Sequence, residues 1–168
     1  MPAPLYRHHP AITAFPLRVL EKLMFKQILL PTDGSELSLK AIRLGVDLAK
    51  ACGASVIALH AVPPVQTIAY VAELMASVEF DYAREATRFA ERYLDDARAI
   101  AEKAGVPFDR VLRFGEQPYQ AILQAATERK CDLIVMAAHS WEGLARLLMG
   151  SETHKVVLKA AVPVLVCH

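Results

Sequence analysis

From Met24 to the end of the 168-residue chain, short apolar runs alternate with longer amphipathic stretches, and few folds accept that order. Lys26–Thr32 (KQILLPT) is apolar at its centre and ends in a turn, as expected of a parallel strand buried on both faces. Asp33-Gly34-Ser35 follows as turn and helix cap. Leu37, Ala41, Leu44, Leu48 and Ala49 then recur at helical spacing up to Gly53, which suits a helix C-cap. Ala54–Val62 (ASVIALHAV) is a second β-rich run, stopped by Pro63-Pro64, and Val65–Tyr70 is ambiguous. Leu74 to Ala104 reads as a long amphipathic helix. Its apolar stripe, Ala83, Ala86, Phe89, Ala90, Tyr93, Leu94, Ala97, Ile100 and Ala101, is expected to be core. Gly105 closes it. Phe108–Phe114 is a third strand ending at Gly115, Pro118–Arg129 a helix, Asp132–Ala138 a fourth strand, Ser151–Ala161 a helix, and Val162–Cys167 a fifth strand.

Strands separated by helical crossovers predict an α/β domain, a parallel sheet with helices on both faces. Such sheets bind ligands at the carboxyl ends of their strands, at the switch point in strand order. That rule selects Thr32-Asp33-Gly34, His60-Ala61-Val62, Gly115 and the segment Met136–Ser151, four places expected to converge on one cleft. The last of these, MAAHSWEGLARLLMGS, joins an apolar strand to a helix start, a common anion-binding device.

Composition removes several function classes. The net charge of +1 gives no reason to expect a nucleic-acid partner. No apolar run approaches the eighteen or so residues of a membrane span, so no membrane association is expected. The cysteines, Cys52, Cys131 and Cys167, are odd in number and lack CxxC spacing. They read as small buried residues of a reducing cytoplasm, with no disulfide frame and no metal site. Residues 1–23 read as an N-terminal extension before the main domain, 24–168, with Met24 a candidate natural start and at most a short helix near Leu17–Leu23. Pro2, Pro4, Pro10 and Pro16 fall in that extension, and Pro10 and Pro16 break any signal-peptide core. There is no nucleophile elbow, catalytic carboxylate pair or GxxxxGK[ST] sequence, so no catalytic residue is assigned and slow ATP hydrolysis is the most activity expected.

Several segments occurring in order, MFKQILLPTDGSELSLKAIRLG, LHAV, VLRFGEQPYQAIL and DLIVMAAHSWEGLARLLMGS…VPVLVC, resemble the universal stress protein family over essentially all of Met24–His168. The resemblance implies a single doubly wound sheet of five parallel strands in the order 3-2-1-4-5. It also implies a homodimer paired through the C-terminal strand Val162–Cys167, whose apolar, exposed edge invites such pairing. The family divides into members that bind ATP or AMP, with magnesium possible, and members that do not. Binders carry Gly, two residues, Gly, nine residues, then Gly and Ser or Thr. Laid on this chain, the first glycine falls on Ala137, the second on Ser140 and the final pair on Gly150-Ser151.

By the same resemblance Pro31-Thr32-Asp33 lies beside adenine and ribose, Ala61 after His60 meets the base, Met136 precedes the phosphate loop and Thr153 fills a small or hydroxyl position. Ala137 adds a methyl group, and Ser140 costs on the order of 1 kcal/mol if its φ must be positive, though its hydroxyl can donate to phosphate. Glu152, one residue into the helix, is expected to repel phosphate, while His139, Arg146 and His154 supply positive or switchable charge. The phosphate loop therefore reads as weakened. Asp33, Ser35 and Ser151 each have a simpler role as helix caps, His60 as a packing residue, and Trp141 as a shield for the cleft or a dimer contact. Three readings follow: an adenine-nucleotide-binding stress-signalling module, a stress protein acting through protein partners without nucleotide, or a weak ATP hydrolase.

Overall fold

The computed structural model describes residues 25–62, 76–115, 117–138 and 150–168, and for 76–83 the backbone alone. Strands β1 (Gln27–Pro31), β2 (Ser55–Val62), β3 (Phe108–Phe114), β4 (Leu133–Ala137) and β5 (Val164–Cys167) form one all-parallel sheet in the order β3-β2-β1-β4-β5. Between them run helices α1 (Glu36–Cys52), α2 (Ala76–Ala104), α3 (Pro118–Glu128) and α4 (Ser151–Lys159). This is the doubly wound α/β fold that the alternation of elements and the family resemblance imply.

Side chains along a strand alternate between faces, so a sheet covered on both sides needs apolar residues at every position. β1 meets that demand. Ile28 and Leu30 enter the core beneath α1 and α2, with Ile42, Val46, Leu94, Ala97 and Val135. Leu29 enters the opposite core beneath α3 and α4, with Ile122, Ala125, Ile134, Met136 and Val156. Helix α1 lies close on the sheet because Gly45 faces Leu30; a Cβ at that position would fall 2.3 Å from Leu30 Cδ2.

Local chemistry sets the element ends. Ser35 caps α1 by accepting from the Ser38 N–H at 3.1 Å, and Gly53, at φ +68°, closes it in the left-handed conformation. The carboxylate of Asp132 accepts from the N–H groups of Lys26 (2.8 Å) and Gln27 (3.1 Å), tying the start of β1 to the start of β4. β5 begins at Val164, later than expected, because Pro163 has no N–H to give a ladder and contributes only its carbonyl, to Ile134 N–H.

Two apolar stripes are narrower than their sequence spacing suggests. On α2 the buried face is Ala90, Leu94, Ala97 and Ala101, while Phe89 is 44% exposed and stacks on a half-buried Tyr93. On α1 it is Ser38, Ala41, Ile42, Gly45, Val46 and Ala49, while Leu44 is 46% exposed. One residue of helix turns a side chain by about 100°, which carries Phe89 and Leu44 off the buried face toward solvent. Residues 1–24, with the Met24 start and the Leu17–Leu23 helix, and Val65–Tyr70 lie outside the described residues. Among the described residues no helix is long and apolar enough to cross a membrane.

All three cysteines are free, with Cys131 buried against the α3 side of the core. Burial, and then the adjacent Asp132 carboxylate, raise the Cys131 thiol to about 11, against a lowering by Arg129. In the unfolded chain this thiol ionises near 9, whereas the folded protein keeps its proton to about 11, so stability falls as pH rises through that window. Urea unfolding between pH 8 and 11 is expected to show an alkaline loss on the order of 2 kcal/mol that Cys131→Ala lacks. Identical pH slopes for the two proteins would contradict this.

Candidate functional site

The ladder between β1 and β4 pairs Ile28 with Leu133 and Leu29 with Ile134. At their carboxyl ends the two chains part: Thr32 N–H bonds Leu59 O of β2 at 2.8 Å, and Ala138 N–H bonds Cys167 O of β5 at 2.9 Å. A cavity of about 330 Å³ opens there, at the switch point of the sheet. Pro31, Thr32 and Asp33 form one wall, His60 and Ala61 a second, Met136 and Ala137 the floor, and Gly150 to Thr153 the far side.

Nine residues named from the sequence border this one space: Pro31, Thr32, Asp33, Ala61, Met136, Ala137, Gly150, Ser151 and Thr153. His139 and Ser140 lie outside the described residues, as do Trp141 and Arg146. Gly115 is not in the lining; the next helix reaches the cavity instead, through Pro118 and Ile122. Ser38 and Leu59 also line it, and neither was singled out from the sequence. Both are buried by tertiary packing that no local motif announces.

Much of the wall is held by bonds among its own residues. Ser38 Oγ donates to Ser35 O at 2.8 Å, so the 3.1 Å contact between the Thr32 and Ser38 hydroxyls has Thr32 as donor. Thr32 Oγ1 accepts in turn from Gly34 N–H at 3.2 Å, and Asp33 Oδ1 accepts from Ser35 N–H at 3.0 Å. His60 Nδ1 donates to Thr32 O at 2.8 Å, which fixes the proton on Nδ1. His60 is thus a packing residue that also faces the cavity; its ring meets Tyr93 edge-on at 5.3 Å. On the far side Thr153, buried, donates to Ala137 O at 3.0 Å and pins the start of α4 to the end of β4.

Two helices point their amino ends here. Gly150 is the N-cap of α4, and among the described residues no side chain caps that end, so its first N–H groups are offered toward the cavity. At the start of α3 the Tyr119 N–H is taken by Glu152 Oε2 at 2.9 Å, and Glu152 Oε1 receives Lys155 Nζ at 2.6 Å. Glu152 lines the cavity as expected, but its carboxylate is held by partners on both oxygens. Among the described residues no group of three His, Cys, Asp or Glu is placed to hold a metal ion. An apolar recess of Leu59, Ile122 and Met136 beside open helix N–H groups suits a ligand with a flat apolar part and an anionic part.

The model of the universal stress protein family matches residues 24–168. A universal stress protein of Thermus aquaticus is 38% identical over 143 residues, covering 84% of this chain and 98% of its own length. One from Methanocaldococcus jannaschii is 33% identical over 143 residues, covering 85% of this chain and 82% of its own. Among solved structures, a universal stress protein in complex with cAMP superposes with a TM-score of 0.62 at 25% identity, covering 86% of this chain and 98% of that one.

Gly34, next to Asp33 of the wall, is held tightly. Its φ is +78°, and a Cβ would lie 2.1 Å from the Tyr93 ring. Gly34→Ala is expected to lose about 2 kcal/mol or more in urea unfolding, from left-handed strain and ring displacement together. Adding Tyr93→Ala removes the ring, so the pair of substitutions is expected to cost less than the sum of the single ones; strict additivity would refute the steric account.

Proposed function

The chain belongs to the universal stress protein family, and from that premise we propose that it binds an adenine nucleotide at the β1–β4 switch point and acts as a stress-response binding module. The observation that carries this reading is the convergence of Pro31-Thr32-Asp33, Ala61, Met136-Ala137 and Gly150-Ser151 on one cavity of about 330 Å³. The base fits the apolar side formed by Pro31, Ala61, Met136 and Ile122. A phosphate fits the amino end of α4, where backbone N–H groups and the Ser151 hydroxyl are donors. A magnesium ion carried by a triphosphate would meet the carboxylate of Asp33, because that of Glu152 is already held by Tyr119 N–H and Lys155. The cAMP complex of a relative supports an adenine-containing ligand. No catalytic base is assigned, and the module acts by occupancy in the cytoplasm.

Assembly follows from the unequal edges of the sheet. The β3 edge carries Asp109, Arg110 and Arg113, which pair with Arg129, with Glu91 and Asp95, and with Glu128 respectively. Charges of that kind discourage strand addition. The β5 edge is Val164-Leu165-Val166-Cys167, with Leu165 38% exposed and Leu158 of the preceding helix α4 69% exposed. The chain forms a homodimer through Val162–Cys167.

Calorimetric titration with AMP, ADP and ATP, with and without magnesium, is expected to give Kd values below the millimolar range. Gly150→Asp is expected to weaken binding at least tenfold while holding or raising Tm, because aspartate is a favoured N-cap yet places a carboxylate where the ligand anion belongs. A lack of heat or thermal shift with every nucleotide at millimolar concentration would transfer the function to protein partners. Light scattering at micromolar concentration is expected to give twice the 18.5 kDa chain mass, and Leu165→Lys is expected to halve it. A monomeric wild-type mass would rule out the β5 interface.

A further inference from the structure

The amino end of α3 is prepared for an anion in an unusual way. Among the described residues Gln117, its N-cap, makes no side-chain capping bond, and Pro118 at the first turn has no N–H. The first N–H that the helix can offer is that of Tyr119, and Glu152 Oε2 occupies it at 2.9 Å. Glu152 comes from the other helix, α4, and its second oxygen is held by Lys155 Nζ at 2.6 Å. Lys155 and Lys159 each place their ammonium 5.0 Å from the centre of the Tyr119 ring, which fixes this corner further. The side chain remains 31% exposed and forms part of the cavity wall beside Ser151 and Thr153.

The protein thus supplies its own anion at one of the two helix ends facing the cavity. Resting on the adenine-nucleotide reading, we propose that Glu152 sets the charge the site accepts, favouring a nucleoside or its monophosphate, cyclic or open, over the triphosphate. One phosphate on the N–H groups of α4 is satisfied by the positive end of that helix. Each further phosphate adds negative charge within the field of a carboxylate that cannot swing away without abandoning Tyr119 and Lys155. Of this ion pair only Glu152 lines the cavity, so added phosphates meet the carboxylate before the Lys155 ammonium behind it. Repulsion between partly solvated charges a few ångströms apart is enough for roughly a tenfold change in affinity.

The test titrates the full chain with adenosine, AMP and ATP, comparing wild type with Glu152→Gln. Glutamine keeps an acceptor for Tyr119 N–H and removes the charge, and thermal melting checks that the fold is kept. Wild type is expected to bind AMP at least fivefold more tightly than ATP. Glu152→Gln is expected to tighten ATP about tenfold and leave adenosine within twofold. The gain shrinks near 1 M salt, where the screening length is about 3 Å. Equal changes for adenosine and ATP, or unchanged ATP affinity, would overturn the charge role while leaving nucleotide binding standing. ATP binding more tightly than AMP to wild type would overturn it without recourse to the variant. Failure of both proteins to bind adenosine, AMP or ATP would overturn both this inference and the reading beneath it.

Discussion

The short pairing of β1 with β4 is the contact on which the rest of the molecule depends. It joins strands that are far apart in sequence, at Ile28–Leu133 and Leu29–Ile134, and Asp132 fastens its beginning through the N–H groups of Lys26 and Gln27. Its brevity matters as much as its existence. Once past it, β1 is drawn to β2 and β4 to β5, and the two chains leave toward helices on opposite faces of the sheet. A crevice at that point is a geometric consequence of winding the sheet in both directions.

The polar groups in the walls of the crevice bond one another. Thr32 serves Ser38 and Gly34, His60 holds Thr32 from β2, and Thr153 ties α4 to Ala137. Buried hydroxyls need such partners, since an unmade hydrogen bond away from water costs about 1–3 kcal/mol. These groups shape the cavity; in the proposed function, recognition falls to the backbone of α4 and the Ser151 hydroxyl. Glu152 shows how context changes a residue's meaning. Beside a helix start it reads as a repulsive charge, yet here it also caps a second helix.

Much of this architecture was legible in the chain. The run ILL in β1 and LIV in β4 can only be satisfied by cover on both faces, and the helix starts at Ser35 and Pro118 follow from cap and ring chemistry. The Gly150-Ser151 pair and Asp33, both named from the sequence, line the same cavity. What periodicity misjudged was the width of the buried faces: Phe89 and Leu44 share helical spacing with core residues but are exposed. Ser38 and Ile122 entered the lining with no signal of their own, because a serine inside a helix and an isoleucine on an apolar stripe look the same in any helix.

The sequence by itself determined the order of elements, the parallel sheet and the family, since each depends on local spacing and on segments recurring in a set order. Tertiary structure alone decided the bond from Tyr119 N–H to Glu152, 33 residues apart, and that from His60 to Thr32, 28 residues apart. Their partners are chosen by the angle at which helices and strands cross. Such angles arise from packing of the whole core, and no local pattern records them.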